Sequence, residues 1–251
     1  MLNSKPCLKL EITDPVASFR AAINENPKNT SHASNSGLSP RATAILAKCW
    51  KPDRHLTISF MDQPPAALKE AIKRHIWEWA DYVSLTFSFI DSKDGIIRIK
   101  TDTAENASQI GTDALTIDAN KPTMFIAARP GDLDFRTVVL HEFGHALGLH
   151  HEHLHPDANI PWDKPKVYKE YAEKWGMNKK SVDLNIFTPI TEQVAITDYD
   201  TTSIMHYPVE KELTDGKFEV AMNTEISSKD KKIVAYYYPI DIPDGGSCET
   251  P

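Results

Sequence analysis

The stretch HEFGHALGLHHE, residues 141–152, decides how the rest of this sequence is interpreted. Six of the ten histidines of the chain lie between His141 and His155. His141 and His145 are four residues apart on a predicted helix, so both imidazoles project from one face and can bind one metal ion. Glu142 follows the first of them and lies beside an open coordination position. This spacing predicts a metal site that activates water.

The pattern continues beyond the helix with a glycine and a third histidine. Gly148 can adopt the positive φ that ends a helix with a sharp turn, and such a turn returns His151 to the metal. A His-Glu-x-x-His motif arises by chance in roughly one in forty such sequences. The two further positions lower that chance by another factor of roughly six hundred.

Three neutral imidazoles leave the fourth zinc position open for water, which is typical of a catalytic site and not of a structural one. We therefore expect one catalytic Zn²⁺ on His141, His145 and His151. A carboxylate beside the metal can take the proton of the attacking water, and Glu142 fits this role of general base. We expect His150, His153 and His155 to be solvated or to support the ligands, and not to form a second metal site.

A second motif completes a resemblance to a known family. HEFGHALGLHHE, followed by SIMHY at residues 203–207, resembles the metzincin metallopeptidases and specifically the astacin family. The resemblance covers roughly residues 48–239. It implies an α+β, two-lobed zincin fold, in which the upper lobe has a twisted mixed sheet and two long helices. The lower lobe after Gly148 is irregular, and the active-site cleft lies between the lobes.

The family pattern also assigns individual roles. It implies that the three motif histidines bind zinc, that Glu142 is the general base, and that Met205 forms the methionine turn beneath the metal. Tyr207 becomes a switch tyrosine, which serves as a fifth zinc ligand in the resting enzyme and then donates a hydrogen bond to the tetrahedral oxyanion. Glu152 forms a buried salt bridge with a newly cut N-terminus in this family.

Hydrophobic periodicity and turn residues place the other elements of the domain. A long polar loop is predicted at residues 101–113, and Asp134 is predicted to cap the helix of the metal motif. Strands are predicted at residues 55–62, 85–91, 95–100 and 122–128, and helices at residues 64–83, 135–147, 164–176 and 227–238.

Composition separates the first 40 residues from the catalytic domain, which we place at residues 41–251. Residues 24–40 are rich in Asn, Ser, Pro and Gly and have almost no bulky apolar side chains, which predicts a flexible linker. The 23 residues before this linker are too few to fold alone, so they are a tail, a docking arm or a pro-segment. Because pro-segments of the wider superfamily block zinc with a cysteine or an acidic residue, Cys7 and Asp14 are candidates to occupy the cleft.

Charge and hydropathy limit the partners. The net charge is −7, and no Lys/Arg-rich block is present, so nucleic acid is not expected as a partner. No apolar run reaches the roughly 18 to 20 residues that span a membrane. The chain lacks the apolar core of a secretory signal, which leaves its location open between the cytoplasm and export by a non-standard route. Cys7, Cys49 and Cys248 are widely spaced and predict no disulfide framework.

The predicted function is that of a zinc-dependent endopeptidase. In this superfamily an extended peptide binds by main-chain hydrogen bonds along the sheet edge, which we expect near Thr123–Ala128. One alternative is a catalytically weak or inactive zinc-binding module with the metzincin fold. Such proteins commonly lose the general base, whereas this sequence retains it as Glu142. Another is zinc hydrolysis of a small molecule or a peptidoglycan-type substrate, because the motif specifies the reaction and not the substrate.

Overall fold

A five-stranded mixed sheet forms the upper part of the protein. The computed structural model describes residues 6–30, 48–190 and 198–240. The strands are β1 His55–Phe60, β2 Thr86–Ile90, β3 Ile97–Lys100, β4 Ala107–Ser108 and β5 Met124–Phe125. Their order across the sheet is β2-β1-β3-β5-β4. β1, β2, β3 and β5 run parallel to one another, and β4 is antiparallel to β5.

Two helices of 12 residues each complete this upper lobe, and the first of them, predicted over residues 64–83, ends at Trp77. The α-helices of the described residues are α1 Pro15–Glu25, α2 Ala66–Trp77, α3 Phe135–Ala146, α4 Lys164–Trp175, α5 Lys179–Val182 and α6 Ser228–Tyr237. Leu68, Ile72 and Ile76 recur every four residues along α2 and are buried on one face. They belong to one apolar cluster that includes side chains of the sheet and of α3.

A separate apolar cluster forms the lower lobe after α3. It joins α4, α5, the π-helical segment Asp183–Phe187 (the π segment below) and the chain that follows the SIMHY motif. Its buried members are Cys7, Val167, Tyr171, Met177, Val182, Ile186, Tyr207 and Leu213. The final helix, α6, returns to the upper cluster through Val234. Two cores with a cleft between them confirm the expected two-lobed α+β fold.

The edge of the sheet differs from the prediction. Met124–Phe125 is hydrogen-bonded to β3 on one side and to β4 on the other, so Thr123–Ala128 is not the sheet edge. The outermost strand is Ala107–Ser108, which lies within the predicted polar loop 101–113. Two residues are too short to show an alternation of polar and apolar side chains, so the sequence carries no signal for this strand.

The N-terminal segment packs on the domain. Asp14 caps α1, because its Oδ1 accepts hydrogen bonds from the backbone nitrogens of Val16 and Ala17 at 3.0 Å. Ser18 donates a hydrogen bond of 2.5 Å to the buried carboxylate of Asp113. Asp113 also forms a buried salt bridge with Lys48.

The predicted start of the flexible linker is wrong. α1 extends to Glu25, and Asn26 and Asn29 are buried although their composition predicts exposure. Both asparagines are satisfied by backbone carbonyls, since Asn26 donates to Trp50 at 3.0 Å and Asn29 donates to Cys49 at 2.9 Å. The rest of the predicted linker and the domain boundary at residue 41 lie outside the described residues.

A candidate metal centre between the lobes

Two histidines of α3 are held in the tautomer that a metal requires. His141 Nδ1 lies 2.8 Å from the carbonyl oxygen of Ile204, and His145 Nδ1 lies 2.7 Å from that of Leu149. A carbonyl oxygen only accepts hydrogen bonds, so each Nδ1 carries the proton. The lone pair of each Nε2 is therefore free for a metal ion.

The third histidine reaches the same point because α3 stops abruptly. α3 ends at Ala146, and Gly148 has a φ of 100°, a conformation that disfavours side chains with a Cβ. His151 then lies with its Nε2 only 3.0 Å from His145 Nε2. His141 Nε2 is buried and has no hydrogen-bond partner within the described ranges. A metal ion would satisfy all three nitrogens.

Burial keeps these imidazoles neutral. It lowers the pKa of His141 to about 4. It also lowers the pKa values of His145 and His151 well below the ordinary range, and the neighbouring histidines add to this shift. Neutral imidazoles are the form that binds a metal ion.

The fourth group at this point is the thiol of Cys7. Cys7 Sγ and one nitrogen each of His141, His145 and His151 lie within 4.8 Å of one another. Three imidazoles and a thiolate are a donor set that suits Zn²⁺, so the residues present fit the metal. The structure therefore brings the predicted ligands together and adds Cys7, whereas Asp14 lies on the exposed cap of α1.

Glu142 lies beside these donors on α3 and is 1% exposed. Burial raises its pKa to about 8. Cys7 Sγ lies 3.2 Å from its Oε2 and donates a hydrogen bond to it. Burial, reinforced by the nearby carboxylate, raises the pKa of the Cys7 thiol as well. A divalent cation bound by Cys7 and the three histidines would lower the pKa of this thiol and favour the thiolate.

Met205 supports the helix from beneath. Its side chain is buried, and a Cβ placed on Gly144 would lie 2.5 Å from Met205 Sδ. Gly144 is the helix position before His145, so the absence of a side chain there lets Met205 pack directly below the histidines. The role of Met205 as the methionine turn beneath the metal stays a prediction.

Tyr207 closes the site opposite Glu142. Its hydroxyl donates a hydrogen bond to the carbonyl oxygen of Cys7, and its role as a fifth metal ligand stays a prediction. The Tyr207 ring lies 4.6 Å from the ring of His151. It also stacks on His153 at a centroid distance of 4.1 Å and an interplanar angle of 23°.

His153 contacts Tyr207 through its ring and Asn185 through a hydrogen bond. It is buried, and its Nε2 donates to the carbonyl oxygen of Asn185 at 2.8 Å. It therefore ties the π segment to Tyr207. Only the cluster of histidines in sequence signals this residue, because its stacking partner is distant in the chain.

Glu152 directly follows His151, the third histidine of the motif, in the chain. Its Oε1 accepts a hydrogen bond of 2.8 Å from the backbone nitrogen of Asp200, and burial raises its pKa to about 7. The salt bridge to a newly cut N-terminus that the family pattern implies stays a prediction.

The described residues include no helix with the length and apolarity of a membrane span.

The two lobes, the histidine motif and the methionine beneath it define a metallopeptidase of the metzincin class. The model of the astacin peptidase family matches residues 42–235. The chain belongs to this family, whose members are zinc proteases.

Solved structures agree with this assignment. The chain is 37% identical to the protein in a structure of myroilysin, with a TM-score of 0.73, over 78% of this chain and 97% of that one. A crystal structure of myroilysin gives 36% identity and a TM-score of 0.61 over 81% and 89%. High choriolytic enzyme 1, a hatching-enzyme zinc protease from the medaka fish Oryzias latipes, shares the fold alone, with 15% identity and a TM-score of 0.53 over 76% and 94%. No curated protein sequence matches significantly.

The buried His153 predicts a loss of stability in acid. Its pKa is lowered to about 3 by burial, so the unfolded chain takes up a proton below about pH 6.5 while the folded chain does not. This one group should lower the free energy of unfolding by about 2 kcal/mol between about pH 6.5 and pH 4.5. Denaturant unfolding of the metal-free chain measures it. His153→Phe keeps a ring against Tyr207 and should flatten this slope, whereas parallel slopes for both proteins would contradict the assignment.

Proposed function

We propose that this protein is a zinc-dependent endopeptidase. The observation that supports this function best is the convergence of the nitrogens of His141, His145 and His151 beside the buried carboxylate of Glu142. These three histidines would hold the metal ion. Bound Zn²⁺ supplies Lewis acidity, which acidifies water and polarises a carbonyl group.

Glu142 takes the proton of the attacking water and passes it to the leaving amine. Its carboxylate lies in the cleft within hydrogen-bond reach of the point that Cys7 Sγ occupies. Burial alone raises its pKa to about 8, and the charge of a bound Zn²⁺ would lower this pKa again. A base with a pKa near the working pH transfers protons in both directions efficiently.

Tyr207 stabilises the oxygen on which negative charge develops. Its hydroxyl already donates to a main-chain carbonyl oxygen in the cleft, that of Cys7. A peptide substrate in the same place would present its scissile carbonyl to this donor. Because the hydroxyl is buried and fixed, its hydrogen bond strengthens as charge develops.

The cleft binds a peptide backbone at the sheet edge. The nitrogen of Leu8 donates to the carbonyl oxygen of Asn106 at 3.0 Å, immediately before β4. Main-chain hydrogen bonds to an edge strand are the general way in which proteases hold an extended substrate. We infer that a protein or peptide substrate runs along β4, and this contact favours it over a small molecule.

The N-terminal segment keeps the enzyme latent. Cys7 lies where substrate and water must react, and its thiolate would complete the coordination of zinc. α1 fastens the segment to the domain through the Ser18–Asp113 hydrogen bond. Removal of Cys7 from the metal opens the site.

Glu142→Gln should abolish most of the peptidase activity. The amide has nearly the same shape but cannot accept a proton, so kcat/KM should fall by about 10²- to 10⁴-fold with the zinc content unchanged. Fluorogenic peptide hydrolysis and metal analysis measure the two quantities. Glu173→Gln, an exposed change on α4, is the control and should match the parent.

Near-normal turnover by Glu142→Gln would show that Glu142 is not the general base. The absence of chelator-sensitive cleavage in the parent, tested as the full chain and as Cys7→Ser, favours the inactive zinc-binding module.

Cys7→Ser should raise the activity of the zinc-loaded full chain by more than about tenfold, because a neutral hydroxyl binds zinc far more weakly than a thiolate does. Initial rates on one peptide at matched zinc content are the measurement. Cys49→Ala removes the other buried free thiol of the described residues and should leave the rate unchanged. Equal rates for Cys7→Ser and the parent would mean that the segment is a structural arm without an inhibitory role.

A further inference from the structure

A single asparagine of the lower lobe reaches into the cleft. Asn185 lies on the π segment and is 4% exposed. Its Oδ1 accepts a hydrogen bond of 2.8 Å from the backbone nitrogen of Lys9. π-helical turns are rare and are frequent at functional sites. The contact uses only the main chain of the segment in the cleft, so it is independent of that segment's side chains.

The orientation of this carboxamide is fixed. Asn185 Nδ2 donates to the carbonyl oxygen of Ser181 at 2.8 Å. That oxygen can only accept, so the amide cannot turn over without losing the bond, and Oδ1 must face the cleft. The backbone carbonyl of Asn185 is held in turn by His153, which stacks on Tyr207. The acceptor is therefore built into the same framework as the reaction centre.

The opposite wall of the cleft offers a matching acceptor. The nitrogen of Leu8 donates to the carbonyl oxygen of Asn106 in the upper lobe, and that of Lys9 donates to Asn185 in the lower lobe. Successive N–H groups of an extended chain point in opposite directions, so these two acceptors suit an extended backbone passing between the lobes. When the N-terminal segment leaves, Asn185 Oδ1 loses this donor, which is unfavourable at a buried site.

We propose that Asn185 is a positioning residue that binds one main-chain N–H of the peptide substrate from the lower lobe. This inference rests on the proposed endopeptidase function. It gives the cleft a specificity that side-chain pockets do not explain. One substrate position close to the cut bond must carry a free N–H, so proline or an N-methylated residue is excluded there.

The test is an N-methyl scan of one cleavable peptide with the zinc-loaded full chain. Each backbone nitrogen is methylated in turn, and kcat/KM is divided by that of the unmethylated peptide. Because both peptides meet the same enzyme, any latency cancels from the ratio. We expect N-methylation to lower kcat/KM by about tenfold at the position facing Asn185 and at the position facing the Asn106 carbonyl.

Asn185→Leu should remove the first of these penalties and keep the second, since the Asn106 acceptor is a backbone oxygen. Asn185→Asp retains an acceptor oxygen and should keep both penalties, whereas Asn185→Ala removes the acceptor and serves as the second test variant if the leucine protein does not fold. Glu173→Gln, an exposed change on α4, leaves Asn185 and its partner Ser181 unaltered and should also keep both penalties.

The outcomes are distinguishable. A merely structural role of Asn185 lowers kcat/KM for every peptide by the same factor and leaves the methylation profile unchanged, and that result overturns the inference. An active parent with an unchanged profile in Asn185→Leu therefore defeats this inference alone. If neither the full chain nor Cys7→Ser cleaves any unmethylated peptide, the proposed function fails and takes this inference with it.

Discussion

The sharp end of α3 is the constraint on which the rest of the site depends. α3 ends at Ala146. Two residues later, Gly148 adopts a φ of 100°, which turns the chain away from the helix. A Cβ at Gly148 would lie 3.4 Å from the carbonyl oxygen of Lys48, which is an ordinary van der Waals contact, so the backbone conformation is what favours glycine. This one turn carries His151 back to the helix and starts the lower lobe. The geometry of the metal centre and the position of the cleft therefore both depend on the turn at Gly148.

The N-terminal segment depends on both lobes that this turn creates. Cys7 belongs to the apolar cluster of the lower lobe, whereas Ser18 bonds to Asp113 beside the upper one. The segment thus spans the cleft in which we place the substrate. Its backbone contacts use the same acceptors that we assign to a peptide, which explains how one cleft can serve both inhibition and binding.

Much of this arrangement can be predicted from the sequence, because local spacing determines it. The i, i+4 histidines, the glycine and the SIMHY motif identify the candidate metal residues from their order in the chain. A long amphipathic segment predicts α2, and the metal motif itself lies on the predicted helix α3. β4 could not be predicted, since two residues have no periodicity. Asn185 and His153 could not be assigned either, because their roles depend on contacts with residues distant in sequence. Composition assigns Asn26 and Asn29 to a linker because it takes no account of buried partners.

We propose that the three histidines hold zinc in the full chain, with Cys7 as the fourth ligand. X-ray absorption at the zinc edge tests this most directly, because Zn–S and Zn–N distances differ, at about 2.3 Å and about 2.0–2.1 Å. We expect one zinc per chain with three nitrogen ligands and one sulfur ligand. In Cys7→Ser the sulfur should vanish while the zinc content is retained. Zinc without a sulfur ligand in the full chain, or the absence of stoichiometric zinc, would contradict this coordination.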